Sequence, residues 1–283
     1  MSDGPHGLRV QNENGDNGVT GSEPATAFPT AALTACGWNE ENLYKMGKAI
    51  GEEARYYGID VVLGPGTNIK RNPLAGRNFE YFSEDPILSG MLAAAMVRGI
   101  QQGGTAACVK HFLANNREEN RFSYSSEMDD RTLRDLYARV FEITIREGKP
   151  KVLMTAYNRF RGTHCAENEY LYNLLRKDLG FGGVVVSDWG GVDYRVKAVR
   201  AGMDIDMPGS GKKTNEEVVA AVESGELQEE TIDERAAKVV KLLEECRSGK
   251  KRVETHITMR QAVADSVVLL KNDGALPLSE NAD

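Results

Sequence analysis

The sequence lacks the features that define several large classes of protein. It has no long uninterrupted apolar run, so neither a transmembrane helix nor a secretory h-region is predicted. Its four cysteines lie far apart without a CxxC pair, and its four histidines show no metal-ligand spacing. A net charge of -7 offers no basic surface for nucleic acid. We therefore expect no metal, no cofactor, no nucleic-acid partner and no membrane contact, and unpaired thiols predict a cytoplasmic location.

What the sequence does contain is an alternation of apolar runs with amphipathic helical patterns. Polar segments follow the apolar runs, and this order predicts parallel strands in an α/β fold. An incomplete TIM-like (β/α)8 barrel is favoured over a doubly wound sheet, although fewer strands are found than the eight a closed barrel needs. Strands are predicted over 59–63, 107–110, 151–156, 184–186 and 204–207, and helices over 39–57, 86–102, 131–147, 168–177, 192–201 and 214–246, the last broken at Gly225.

One stretch, GFGGVVVSDWGG over 180–191, combines a buried strand with polar residues at its exit. The run of three valines is typical of a strand buried on both faces. Asp188 follows it, where α/β barrels place their chemistry. An aspartate there also serves as a helix cap, but Trp189 beside it offers a flat apolar face suited to a sugar ring. GFGG precedes this strand, so it is not a dinucleotide fingerprint.

Other polar side chains stand just past predicted strands, where they are expected to share one rim. Asp3 and Asp188 supply a pair of carboxylates, and the cationic side chains supply hydrogen-bond donors for sugar hydroxyls. Because burying so many charges is costly unless they pair, Glu80 is predicted to form a structural salt bridge with Arg77. The remaining candidates at this rim are Lys110, His111, Arg121 and Tyr157.

Six strings along the chain resemble, in order and spacing, glycoside hydrolase family 3 of the β-glucosidase type. They are SDGPHGLR, LGPGTNIKRNPLAGRNFEYFSEDP, KHFLANNREENR, LMTAYNRFRG, GFGGVVVSDWG and AGMDIDMP. The resemblance implies a retaining hydrolase that removes terminal β-D-glucosyl residues from a small β-glucoside or oligosaccharide. It implies that Asp188 is the catalytic nucleophile, and that the sugar is held by Asp3, Arg77, Lys110, His111, Arg121, Tyr157 and Trp189.

The same resemblance implies a division of the chain. Residues 1–250 are expected to form the N-terminal barrel domain without its first strand, and residues 251–283 a linker and the start of an α/β sandwich domain. SVVLLK, over 266–271, is expected to be the first sandwich strand and to lack a full set of partners. The family's acid/base glutamate belongs to the sandwich domain, so this chain is expected to lack it and to be inactive alone.

Three alternatives stay open from the sequence. The chain is a fragment that binds sugars without hydrolysing them, or it has β-xylosidase or another exo-β-glycosidase specificity. The third is an unrelated barrel enzyme, such as an aldolase that uses Lys110 as a Schiff-base lysine. The ordered strings favour the glucosidase reading, and the aglycone is not predicted.

Overall fold

Five parallel strands form the central sheet of the molecule. The structure is a computed structural model that describes residues 1–11, 21–209, 211–246 and 261–268. Its strands are β1 (Ser2–Asp3), β2 (Val61–Leu63), β3 (Ala106–Phe112), β4 (Ser125–Ser126), β5 (Val152–Thr155), β6 (Arg159–Phe160), β7 (Thr163–His164) and β8 (Val184–Val186). The central sheet has the order β1-β2-β3-β5-β8 with every pair parallel. The fold is α/β and TIM-like, as predicted, although no pairing among the described residues closes the barrel.

Helices separate these strands along the chain. Asn39 caps the helix after it by accepting the Asn42 N–H, and Asp85 caps the helix that opens with Pro86, a residue suited to the first turn. The α-helices are α1 (Ala31–Cys36), α2 (Glu40–Tyr56), α3 (Pro86–Gln102), α4 (Asp130–Thr132), α5 (Arg139–Ile143), α6 (Glu169–Asn173), α7 (Arg195–Ala201), α8 (Lys212–Glu223) and α9 (Glu229–Cys246). Three π-helical stretches, Leu133–Ala138, Thr144–Gly148 and Leu174–Asp178, follow α4, α5 and α6, and a 3₁₀ turn covers Cys165–Glu167.

Four strands of the central sheet, β2, β3, β5 and β8, are buried on both faces, which explains their apolar runs. Val62, Leu153 and Val185 belong to a large core shared with α2, α3 and α5. Their neighbours along the strands, such as Val61 and Val184, belong to a second core on the opposite face. That second core also contains side chains from the end of α9, so this helix covers part of the inner face of the sheet.

Most predicted elements are present with small changes of length. The helix predicted over 86–102 matches α3, and the two helices on either side of Gly225 are α8 and α9. The predicted strand 107–110 is longer, and the helix predicted over 131–147 contains π-helical stretches. The predicted domain boundary at residue 250 lies outside the described residues, so the division of the chain stays a prediction.

The prediction of a strand over 204–207 is wrong. Only one bridge forms there, between Val186 and Ile205. Asp204 interrupts the ladder because its Oδ2 accepts the Val185 N–H at 2.7 Å. A side chain therefore uses the backbone donor that a neighbouring strand would use.

Both ends of the described chain also differ from the predictions. Ser2 and Asp3, which were not predicted to form a strand, pair with Val62 and Leu63 as a short strand. In the predicted strand 266–271, the described residues 266–268 are not in a strand. The N–H groups of Ser266 and Val267 turn back to the Val263 carbonyl at 3.0 and 3.2 Å, and residues 269–271 lie outside the described part of the chain.

A second, three-stranded sheet was not predicted. It has the order β4-β6-β7, and β6 and β7 form a hairpin with Arg161 and Gly162 as its two-residue loop. Both loop residues have positive φ, 50° and 82°. That conformation is typical of a type I′ turn, which matches the twist of the flanking strands. The helix α1 was also not predicted.

Candidate active site

A cleft of about 450 Å³ opens at the carboxyl ends of the central strands. Its place follows from the topology, because parallel strands bring their carboxyl ends to one edge of the sheet. Apolar Leu63 and Met154 form part of its wall. The structure brings together in this cleft all eight side chains singled out from the sequence, whose roles stay a prediction: Asp3, Arg77, Lys110, His111, Arg121, Tyr157, Asp188 and Trp189.

Asp188 lies deep in the cleft, just past the end of β8. Its Oδ1 accepts a hydrogen bond from the Trp189 backbone N–H at 2.8 Å. Its buried Oδ2 accepts no hydrogen bond of ordinary geometry from the described residues, but lies 3.5 Å from His111 Nε2 and 3.9 Å from Arg77 Nη1. The next α-helix begins only at Arg195. Asp188 therefore does not cap a helix, and its Oδ2 makes only long contacts with His111 and Arg77, while the carboxyl group also interacts with Tyr157.

Burial is the largest influence on the pKa values of Asp188 and His111. It raises the pKa of Asp188 above the ordinary 3.8, although Arg77 opposes this rise. Burial, followed by the nearby cations, holds the pKa of His111 well below the ordinary 6.5. His111 is thus a neutral imidazole at pH 7, with its Nδ1 2.9 Å from the Tyr81 hydroxyl. It can exchange hydrogen bonds with a ligand without adding charge.

Lys110 and Asp3 form an ion pair in the cleft. Lys110 Nζ lies 2.6 Å from Asp3 Oδ1, and Arg9 Nη1 lies 3.6 Å from Oδ2. Burial works against both charges, but Lys110 and then Arg9 outweigh it and lower the pKa of Asp3. Likewise Asp3 outweighs burial and raises the pKa of Lys110. A Schiff-base lysine reacts as a neutral amine, so a paired ammonium argues against the aldolase alternative.

Carboxylates hold the two predicted arginines in place. Arg77 Nε pairs with Glu80, the salt bridge expected from the sequence. Glu118 Oε1 lies 4.0 Å from the same Nε, while Glu118 Oε2 lies 2.7 Å from Arg121 Nη1. One carboxylate therefore links both guanidinium groups, which fixes the donors that face the cleft.

The charges at the cleft balance one another. Four cations line it, and four carboxylates line it or contact those cations directly. A site of balanced charge with many fixed donors and acceptors suits a neutral ligand rich in hydroxyl groups, because such a ligand needs hydrogen bonds and brings no charge to compensate. The cations are Arg9, Arg77, Lys110 and Arg121, and the carboxylates are Asp3, Glu80, Glu118 and Asp188.

Two aromatic side chains complete the cleft. Tyr157 is buried, and the Arg121 guanidinium stands 4.4 Å from its ring centroid. Burial and then Asp188 raise the pKa of Tyr157, so its phenol keeps its proton and can donate a hydrogen bond. Trp189 is 48% exposed, an unusual state for a large apolar side chain at a cleft, and its exposed surface is available to a sugar ring.

Sequence reasoning missed several residues of the cleft. Arg9 and Gln11 line it, and Glu118 supports it from behind. Arg9 is the last residue of the string SDGPHGLR, which was recognised in the sequence. The sequence did not show that the Arg9 side chain extends to the cleft. Glu118 follows Arg117 in a run of charges, and nothing local distinguishes a half-buried carboxylate that supports the cleft from a solvated one.

The described ranges show neither a metal-binding cluster nor a membrane-spanning helix. These ranges contain no group of three or more histidine, cysteine, aspartate or glutamate side chains arranged to hold a metal ion. In the same part of the chain, no helix has both the length and the apolar character needed to cross a bilayer.

Comparison with known families gives one match over most of the chain. The sequence model described as Glycosyl hydrolase family 3 N terminal domain matches residues 4–242. This interval contains every residue of the cleft except Asp3. It also contains all the strands of the central sheet except β1.

Individual relatives are similar over nearly the whole length of this chain. Thermostable beta-glucosidase B of Acetivibrio thermocellus is 44% identical over 99% of this chain and 38% of the relative. An exo-alpha-(1->6)-L-arabinopyranosidase of Bifidobacterium breve is 40% identical with the same coverages. The structure of beta-glucosidase 3B from Thermotoga neapolitana in complex with alpha-D-glucose superposes with a TM-score of 0.90 at 43% identity, covering 99% of this chain and 41% of that one. The chain thus spans about two fifths of the length of these relatives.

Proposed function

The chain belongs to glycosyl hydrolase family 3, and from this we propose that it carries the nucleophile and the glucose-binding cleft of a retaining β-glucosidase. The observation that carries the proposal is Asp188: a buried carboxylate with one uncommitted oxygen, set among hydroxyl-binding donors in a cleft of balanced charge. Retaining glycosidases need a nucleophilic carboxylate placed against the anomeric carbon. The relatives named beta-glucosidase support glucose as the sugar.

In the first step, Asp188 Oδ2 attacks the anomeric carbon of the terminal glucosyl residue. A bond forms between that oxygen and C1, the bond from C1 to the aglycone oxygen breaks, and the electron pair leaves with the aglycone. Water then attacks C1 on the face away from Asp188 and loses a proton to the group that acted as the acid. The bond from C1 to Asp188 Oδ2 breaks, which releases glucose and the Asp188 carboxylate with net retention. Desolvation of Asp188 favours its reaction with a centre that develops positive charge, because electrostatic attraction is stronger in a low-dielectric site.

The surrounding side chains hold the sugar hydroxyls. Lys110 and Asp3 present a fixed donor and acceptor, and Arg77 and Arg121 present guanidinium edges that are already oriented by Glu118. Because these groups are preorganised, binding energy is available to distort the ring toward the oxocarbenium-like transition state. Trp189 covers one face of the sugar.

The proton for the leaving group comes from outside the described residues. A general acid needs a raised pKa and a position at the cleft. Among the described carboxyl groups that line the cleft, Asp188 is committed as nucleophile and Asp3 has a lowered pKa. We therefore propose that the 283-residue chain alone turns over substrates with basic leaving groups poorly, and that a further domain supplies the acid.

Covalent trapping tests this function. A 2-deoxy-2-fluoro-glucosyl donor with a good leaving group slows both steps and needs little protonation, so the intact chain should gain one fluoroglucosyl mass, located on the peptide that contains Asp188. Labelling of another carboxylate contradicts the nucleophile assignment. Reversible glucose binding without any label supports the non-catalytic alternative. Ready turnover of an alkyl β-glucoside by this chain would show that an acid lies within it.

The relative named exo-alpha-(1->6)-L-arabinopyranosidase supports a second candidate sugar. It is nearly as similar to this chain as the β-glucosidases are. Equilibrium dissociation constants for glucose, xylose and L-arabinose measured on the same preparation separate these specificities, and tighter binding of either pentose would reassign the sugar but not the nucleophile.

A further inference from the structure

Phe122 is an exposed aromatic side chain held against the wall of the cleft. It is 50% exposed, yet its ring meets the Tyr157 ring edge-on with centroids 4.7 Å apart. Tyr157 lines the cleft and interacts with Asp188. An exposed phenylalanine retains an apolar surface in contact with water, which is unfavourable unless something else covers that surface.

The position of this ring is set by an edge-on ring contact and a cation–π contact rather than by burial. The Arg121 guanidinium stands 5.1 Å from the Phe122 centroid and 4.4 Å from the Tyr157 centroid. Glu118 holds the same guanidinium at 2.7 Å. Two aromatic rings and one ion-paired cation therefore make a rigid edge to the cleft, and an already ordered ring loses little entropy when a ligand binds.

The geometry of displacement decides which part of a substrate reaches this edge. A nucleophile attacks C1 on the side opposite the leaving group, so the aglycone points away from the attacking oxygen. Asp188 is only 8% exposed, and the side away from it is the open side of the cleft. The aglycone therefore lies toward the rim, where Phe122 is exposed.

We propose that Phe122 is a wall of an aglycone subsite that prefers aromatic aglycones. The inference rests on the proposed function for the position of the sugar. Phe122 brings an apolar ring and no hydrogen-bonding group, and under the proposed function the donors of Arg121 beside it serve Glu118 and the glucosyl residue. A planar aromatic aglycone matches such an edge by ring–ring contact, whereas a second sugar would leave hydroxyl groups without partners.

Two labelling probes that share the sugar and differ in the leaving group test the proposal. They are 2,4-dinitrophenyl 2-deoxy-2-fluoro-β-glucoside, which has an aromatic aglycone, and 2-deoxy-2-fluoro-β-glucosyl fluoride, which has none. The measured quantity is the ratio of kinact/KI for the first probe to that for the second. We expect Phe122→Ala to lower this ratio about three- to tenfold, the size of an aromatic pair, and Phe122→Tyr to restore it.

Tyr56→Ala is the matched control. Tyr56 is 47% exposed and meets Tyr57 edge-on at 5.0 Å, so it resembles Phe122 in exposure and packing but lies on α2. Its removal should leave the ratio constant. If Phe122→Ala lowers both rate constants equally, the residue only supports Arg121 and the proposal is wrong.

An equilibrium measurement separates this inference from the catalytic assignment. Phenyl and methyl β-thioglucosides are not cleaved readily, and the ratio of their dissociation constants reports the aglycone contact without chemistry. If the wild-type chain is labelled by neither probe yet binds the phenyl compound more tightly, and Phe122→Ala removes that preference, the aglycone subsite stands and the nucleophile assignment fails. Equal affinities for the two compounds in the wild-type chain would overturn the subsite.

Discussion

Two buried aspartates of this molecule, Asp188 and Asp204, both face cationic side chains, but their surroundings differ. The side chain of Asp204 is completely buried, accepts the Val185 N–H at 2.7 Å and lies 3.2 to 3.7 Å from Arg176, Arg235 and Lys238. Asp188 retains slight exposure, and its Oδ2 accepts no ordinary hydrogen bond from the described residues. The Asp204 carboxylate is therefore fully occupied by hydrogen-bond donors and cations, whereas the Asp188 carboxylate can accept a further bond at Oδ2.

The comparison shows that a cluster of charges does not by itself identify an active site. The cluster must also lie in the cleft and contain a carboxylate oxygen that can still accept a bond. Asp204 interacts with the amino half of β8, where Arg176 also donates to the Gly183 carbonyl at 2.6 Å. Asp188 stands beyond the carboxyl end of the same strand, in the cleft. A carboxylate that stabilises the fold is best paired fully with cations and N–H donors. A carboxylate that acts as a nucleophile needs an oxygen that is not held in this way.

Replacing Asp188 should have the largest effect on reactivity and the least cost to folding. Asp188→Asn keeps the shape of the side chain but removes the nucleophile, and such losses are on the order of a millionfold. Labelling by the fluoroglucosyl donors should fall below detection in mass spectra. The raised pKa means that the charged form is penalised in the folded state at neutral pH. The variant should therefore unfold in urea no earlier than the wild type, and a large loss of stability would contradict this reading.

Replacing Asp204 should do the reverse. Asp204→Asn leaves three cations around a neutral amide, and breaking a buried ion pair of this kind costs roughly 3–5 kcal/mol. Urea unfolding should shift to a lower midpoint by a corresponding amount. The fraction that remains folded should still be labelled at Asp188. Loss of labelling in fully folded Asp204→Asn protein would show that the two regions are coupled.

The pH dependence of labelling should separate the two aspartates further. Labelling requires the ionised Asp188, so it is lost as pH falls through the folded-state pKa, which lies above the ordinary 3.8. Arg77 is the largest influence that opposes the rise. Arg77→Gln should therefore move the acid limb of kinact/KI to higher pH, by about one unit. Lys238→Gln, beside Asp204, should leave the midpoint in place, and a shift toward lower pH in Arg77→Gln would reverse the assigned sign.

The two tryptophans of the chain provide the smallest test. Trp189 lines the cleft and Trp38, which is 75% exposed, does not. Trp189→Ala should weaken glucose binding by about 1 kcal/mol, the worth of one aromatic platform, and should abolish glucose-dependent fluorescence quenching. Trp38→Ala should keep both the affinity and the quenching. Equal affinities in Trp189→Ala and the wild type would remove Trp189 from the sugar site.

Local pattern was sufficient for much of the fold. Asp85 and Pro86 define the start of α3 because capping and a fixed φ act within one turn. The three valines of β8 define a strand buried on both faces for the same local reason. Pattern failed at 204–207, where the Asp204 side chain takes a ladder donor from a distant strand. It also failed at Arg161 and Gly162, where a turn of uncommon sequence closes a hairpin.

The candidate site divides in the same way. The sequence alone determined which residues follow strands, and parallel topology then predicts that they meet at one edge; it also carried the six strings that indicate the family. Only the tertiary structure decided which carboxylates form close ion pairs and which one keeps an oxygen without an ordinary hydrogen bond among the described residues. Lys110 lies 107 positions from Asp3, and Glu118 reaches both Arg77 and Arg121 from a loop. Such partnerships depend on distances across the folded sheet, and residue spacing along the chain does not record them.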